Sequence, residues 1–153
     1  MGICFCTVFL NGYTPTLSFL NNIIAVGAKP KKIIILNVIT GSQKAVLSGH
    51  TGEVNCLTLS PEGTLLVSGS DDRTAKLWDV QTGGAIKTFS GPSGWVWSVS
   101  ISVDCTTIAS GSVDGKICLW NIQTGKCYYT IKQQNIVYHV SFYPTNPQHF
   151  ISM

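Results

Sequence analysis

From Val54 to Ser60 the chain reads VNCLTLS, with apolar and polar side chains alternating. A period of two suits a strand with one face turned toward a core. Ser60-Pro61-Glu62-Gly63 follows, with Pro and Gly in natural turn positions. Leu65–Ser70 predicts the next strand and Asp71-Asp72-Arg73 the next turn. Thr74–Val80 predicts a third strand, Thr82-Gly83 a turn, and Ala85–Phe89 a closing strand. Val, Ile, Thr and Trp are frequent in these segments, as pleated half-buried surfaces favour. Helical periodicity is absent. The expectation is an all-β chain of short strands.

The pattern recurs. Residues 66–83 read LVSGSDDRTAKLWDVQTG and residues 108–125 read IASGSVDGKICLWNIQTG, aligned without a gap. Trp78 and Trp120 are 42 positions apart, as are Ser68 and Ser110, Asp72 and Asp114, and Gly83 and Gly125. One period upstream, residues 24–41 read IAVGAKPKKIIILNVITG, a faded copy. There Gly27, Asn37 and Gly41 answer Gly69, Asp79 and Gly83. A fourth copy begins near residue 131, with Pro144 answering Pro61, and stops within its second strand at FISM. A recurring unit of this length needs stacked neighbours to bury its apolar faces. The expected units are approximately 3–48, 49–90, 91–132 and a truncated 133–153, one repeat region over 1–153.

Gly49-His50 ahead of the second unit and Trp78-Asp79 at its third strand resemble the WD40 repeat; Trp120-Asn121 is a near match. The resemblance covers most of the chain and implies a partial WD40-type β-propeller of four-stranded antiparallel blades. In that family a Trp, a Ser or Thr, a His and an Asp form a hydrogen-bonded chain inside a blade. Carried over by spacing, the structural tetrad is His50, Ser68, Asp72 and Trp78. A buried indole N–H needs an acceptor. Ser68 can accept it and donate to His50, whose other nitrogen Asp72 can receive. The third unit keeps a partial tetrad, Ser110, Asp114 and Trp120, but Pro92 stands at the His position, so its chain is expected to be open or bridged by water. The first unit has Val26, Pro30 and Leu36 at the corresponding places and no tetrad. Stability is therefore expected to decrease away from the second unit.

The resemblance also places a binding face on loops at one side of the disc. Its candidate residues are Glu53, Asn55 and Asp71 in the second unit, Trp95, Trp97 and Val113 in the third, and Ile136 and Tyr138 in the fourth. Asn11, Tyr13 and Lys29 are the counterparts in the first. Trp95 and Trp97 are alternate residues, expected to leave a strand on one side, and Trp is enriched among binding hot spots. The competing reading has one or both filling the gap left by the missing His. Lys29, Lys31 and Lys32 around Pro30 read as a solvated turn.

Ten basic and seven acidic residues leave a net charge of +3, too little to read nucleic acid by bulk attraction. Apolar residues reach 44% and charged ones only 11%, which excludes a disordered tail. Cys4, Cys6, Cys56, Cys105, Cys118 and Cys127 show no C-x-x-C and no zinc-ligand spacing to a His. Most sit in apolar runs, so reduced thiols in an intracellular protein, cytoplasmic or nuclear, are expected. The apolar start, Met1–Leu10, lacks the features of a signal peptide. Gly2 is followed by Cys6 where a myristoylation pattern wants Ser or Thr. No apolar run is long enough for a membrane helix.

No G-x-S-x-G elbow, P-loop or H-E-x-x-H occurs. Ser68, His50 and Asp72 do not read as a catalytic triad, because Ser68 is committed to Trp78 inside the blade. His139 and His149 lack partners at ligand spacing and read as ordinary surface or loop residues. No enzyme activity, cofactor, metal or small-molecule substrate is expected. The leading function is a scaffold binding other proteins or peptides. The alternative is a sensor segment of a larger signalling ATPase of NACHT or STAND type, whose closing repeats the cadence of residues 49–83 resembles. About 3.6 units fall short of a typical ring of roughly 4–8 blades. A longer propeller, or a dimer supplying about seven units, would close it.

Overall fold

The computed structural model describes residues 16–28, 30–143 and 146–152, with side chains left aside at 28, 143 and 146–152. Gly2, Cys4, Cys6, Asn11, Tyr13 and Lys29 lie outside the described residues, as does the side chain of His149. Among the described residues fourteen strands follow one another and no helix occurs. β1 (Leu17–Leu20), β2 (Ile23–Ala28), β3 (Lys32–Asn37) and β4 (Gln43–Ser48) form the first sheet, in chain order. β5 (Val54–Leu59), β6 (Leu65–Ser70), β7 (Thr74–Asp79) and β8 (Ala85–Ser90) form the second. β9 (Val96–Ile101), β10 (Thr107–Ser112), β11 (Lys116–Asn121) and β12 (Cys127–Lys132) form the third. β13 (Val140–Tyr143) and β14 (Asn146–Ser152) pair as a hairpin. Every pairing is antiparallel. Three complete blades and the opening of a fourth make a partial β-propeller.

The core lies between the blades rather than within one. Val67, Ala75, Leu77 and Phe89 of the second blade meet Val96, Val99, Ile108 and Trp120 of the third. Ile33, Ile35 and Leu47 of the first meet Leu59, Leu66 and Trp78 of the second. A third cluster joins Ala109, Ile117 and Leu119 to Val137, Val140 and Phe142. A four-stranded sheet has two faces, and stacking covers both. That is why β6 and β10 are buried almost throughout instead of alternating.

Close approach of the blades needs small residues in their second strands. A Cβ on Gly69 would lie 2.6 Å from Val96 Cγ1 and 2.6 Å from Cys56 Sγ. On Gly111 it would lie 2.6 Å from Val137 Cγ1. The first strand of each blade is a sheet edge, and its buried N–H groups require acceptors. In the second and fourth blades, hydroxyls from the preceding blade supply acceptors. Leu59 N donates to Ser18 Oγ at 3.1 Å, Val140 N to Ser98 Oγ at 3.0 Å and Phe142 N to Ser100 Oγ at 3.1 Å.

Candidate functional site

Inside the second blade, β6, β7 and the segment entering β5 bring the tetrad together. Trp78 Nε1 donates to Ser68 Oγ at 2.8 Å. Ser68 Oγ and His50 Nε2 are 2.7 Å apart, and His50 Nδ1 and Asp72 Oδ2 are 2.7 Å apart. The order of donors follows from chemistry. The indole can only donate, so Ser68 spends its own hydrogen on His50 Nε2. The imidazole proton then sits on Nδ1 and points at Asp72. Burial lowers the His50 pKa, against the opposing pull of Asp72. Burial acts to raise Asp72, but hydrogen bonds from Thr74, Thr51 and His50 outweigh it and hold its carboxyl at about 2. A neutral imidazole beside a carboxylate is the state this network selects.

The third blade solves the same problem differently. Trp120 Nε1 donates to Ser110 Oγ at 2.8 Å, but the chain stops there. Pro92 is itself buried. Trp95 is half exposed, so it does not lie buried at that place. Ser93 takes over the grip on the turn: its N–H and hydroxyl both donate to Asp114 Oδ2, at 2.8 and 2.5 Å. Burial would raise the Asp114 pKa, yet bonds from Ser112, Ser93 and Lys116 N hold it well below the usual carboxylate range. The vacant His position does not by itself point to Ser93, one residue on. The signal was present, since Ser is a natural partner for a turn carboxylate.

The candidate face gathers at the start of the inner strands. The pairing of β5 with β6 slips at Asn55, which has no partner between Val54↔Ser70 and Cys56↔Gly69. β9 slips against β10 at Trp97, between Val96↔Ser112 and Ser98↔Gly111. Such a bulge re-aims the extra side chain. Simple alternation is therefore not what places Trp97; the bulge is. Trp95 precedes β9 and is 49% exposed, Trp97 is half-buried, and Val96 between them is fully buried. Trp97 lies 5.4 Å from Tyr138, ring centre to ring centre, at a 46° tilt. Tyr138 is 62% exposed, and both it and the exposed Ile136 precede β13.

Asn55 and Asp71 are also brought together. Asn55 Nδ2 donates to Asp71 Oδ1 at 2.7 Å and to Val96 O at 3.2 Å, tying the second blade to the third. Glu53 and Val113 are half-buried beside the same turns. Glu53 O accepts from Asp71 N at 3.0 Å, and Trp95 O from Val113 N at 3.0 Å. The bulges and the Asn55 bridge had no marker in the sequence, because they depend on how neighbouring strands pair.

Ser68 is fully buried and engaged on both sides, so it is not an exposed nucleophile. Burial pushes the Cys56 thiol up to about 12. Among the described residues, no three His, Cys, Asp or Glu side chains converge to hold a metal ion. No helix among them is long and apolar enough to cross a membrane.

The family model described as "WD domain, G-beta repeat" matches residues 41–79 and 83–121. Each match runs from the outer strand of one blade through three strands of the next, so one repeat interlocks two sheets. The chain is 39% identical over 70 residues to WD40 repeat-containing protein HOS15 of Arabidopsis thaliana, covering 45% of this chain and 11% of that protein. It is 37% identical over 57 residues to apoptotic protease-activating factor 1 of Danio rerio, covering 37% of this chain and 4% of that protein. It is 53% identical over 45 residues to a periodic tryptophan protein 2 homolog of Neurospora crassa, covering 29% of this chain and 5% of that protein. The chain thus spans a small part of the curated relatives it matches.

Proposed function

The chain belongs to the WD40 repeat family, and from that premise we propose that it is a non-enzymatic scaffold binding proteins or peptides through the face that carries Trp95, Trp97 and Tyr138. WD40 repeats generally mediate protein–protein interaction, and the family is typically non-enzymatic. The observation that carries the reading is the aromatic group itself. Trp97 and Tyr138 meet across two blades while Trp95 and Tyr138 stay largely exposed. Large aromatic surface held rigidly at a rim is what binding hot spots are made of. Glu53, Asn55, Asp71, Val113 and Ile136 would frame it.

The units 3–48, 49–90, 91–132 and 133–153 are the proposed building blocks, with further blades or a second copy completing the ring. An intracellular setting is proposed on the four free thiols Cys56, Cys105, Cys118 and Cys127. A second reading, a sensor segment of a larger signalling protein, draws support from the likeness to apoptotic protease-activating factor 1. A Trp95→Ala/Trp97→Ala double variant tests the leading reading. It should lose the partners that the parent chain captures while keeping the same melting temperature. Undiminished capture would sink the assignment of this face.

A further inference from the structure

The third blade departs from the repeat at two places that come together. In the second blade, Lys76 Nζ donates to Thr88 Oγ1 at 2.8 Å across β7 and β8, and Ala85 opens β8. One period on, Thr130 keeps the place of Thr88, but Cys118 replaces Lys76 and Cys127 replaces Ala85. In the first blade Ile34 and Gln43 hold those two places. The two cysteines are specific to one blade.

Register brings them onto one face. Cys118 lies opposite Thr130 and Leu119 opposite Tyr129; the pairing then slips, so that Trp120 faces Cys127 and Tyr128 is the extra residue. Side chains alternate along a strand, so without the slip Cys127 would lie on the other face from Thr130. Cys127 Sγ is 3.3 Å from Thr130 Oγ1, and the same hydroxyl donates to Cys118 Sγ at 3.9 Å. Cys127 is exposed and Cys118 buried. β12 is the edge strand of its sheet, hydrogen-bonded to β11 alone within it. Diagonal cross-strand neighbours sit about 7–8 Å apart at Cα, and a disulfide spans about 4.4–6.8 Å, so a small tilt suffices.

We propose that Cys118 and Cys127 form a reversible dithiol–disulfide site, oxidised by small-molecule disulfides such as oxidised glutathione, whose closure staples β12 to β11. Cys127, the accessible thiol, loses its proton to solvent and attacks one glutathione sulfur. The glutathione S–S bond breaks and one glutathione leaves as thiolate, taking up a proton. Cys118 then gives up its proton and attacks Cys127 Sγ. The protein S–S bond forms and the second glutathione leaves. Two protein thiols are oxidised, and one oxidised glutathione becomes two reduced ones. Burial pushes the Cys118 thiol up to about 11. Closure should therefore accelerate about tenfold per pH unit below that value, as the thiolate fraction grows.

The test is to incubate the folded full chain with oxidised glutathione, block residual thiols and map peptides after trypsin. Cleavage at Lys116, Lys126 and Lys132 places Cys118 and Cys127 on separate peptides, 117–126 and 127–132. The expected product is that pair of peptides joined by one disulfide, absent in C127S and reversed by thioredoxin-type reductants. Glutathione retained on Cys127 alone, both thiols unmodified, or Cys118 joined to any other cysteine would each overturn the proposal.

Discussion

Replacing Ser68 by Ala removes one hydroxyl and strands two groups. Trp78 Nε1 loses its acceptor at 2.8 Å, and His50 Nε2 loses its donor at 2.7 Å. Both side chains are buried, with Trp78 1% and His50 7% exposed. The space left by one oxygen, closed in by its neighbours, is too small for a water with several partners. Each buried polar group left unpaired costs about 1–3 kcal/mol. For two additive groups the loss is therefore about 2–6 kcal/mol. The third blade provides an internal control. Ser110 accepts from Trp120 Nε1 at 2.8 Å, but Pro92 stands where a His would be. Ser110→Ala strands only the indole, at about 1–3 kcal/mol.

The expected result is an ordering: Ser68→Ala is more damaging than Ser110→Ala by about 1–3 kcal/mol. At roughly 4 °C per kcal/mol for a chain of this size, the two melting temperatures should differ by at least about 4 °C. Calorimetry with matched urea titrations gives both numbers, and equal m-values would show that the two variants unfold from comparable states. Equal losses, or a larger loss for Ser110→Ala, would refute the claim that the His50 link stabilises the second blade beyond the Trp–Ser bond.

Acid should weaken the fold in two steps. The native His50 pKa lies below its unfolded value, so the unfolded state binds more protons and stability falls as pH drops through about 6.5. Asp72, held at about 2 against 3.8 when free, adds a second decline as pH drops from near 3.8 toward 2. His50→Gln should flatten the upper step relative to the parent, and an unchanged upper step would count against the assignment. Gly69→Ala forces a methyl to within 2.6 Å of Val96 Cγ1 and Cys56 Sγ; a loss of about 1–3 kcal/mol from overpacking is expected in urea unfolding, and a neutral variant would mean that the blades have slack. Arg73 has φ 68° where the third blade places Gly115 at φ 81°. Arg73→Gly should therefore gain about 0.5–1 kcal/mol by relieving a left-handed turn, and a lower melting temperature would contradict that.

The sequence by itself determined the blade. Alternation along Val54–Ser60, the turn at Pro61 and Gly63, and the 42-residue step from Trp78 to Trp120 are local or periodic features. Strand and turn propensities act within a few residues, so they can be read from one stretch of chain. The tetrad was reached through the resemblance to the WD40 repeat, which assigns His50, Ser68, Asp72 and Trp78 by position; an indole that can only donate then leaves one order of bonds. What the tertiary structure decided lies between strands and between blades. The slips at Asn55, Trp97 and Tyr128 depend on pairing register, and a one-residue slip reverses which face a side chain takes. The meeting of Trp97 with Tyr138, the reach of Asn55 to Val96 O and the replacement of a His link by Ser93 and a buried Pro92 depend on segments tens of residues apart. Those contacts arise only once neighbouring blades stack, and stacking is driven by apolar area that carries no directional information of its own.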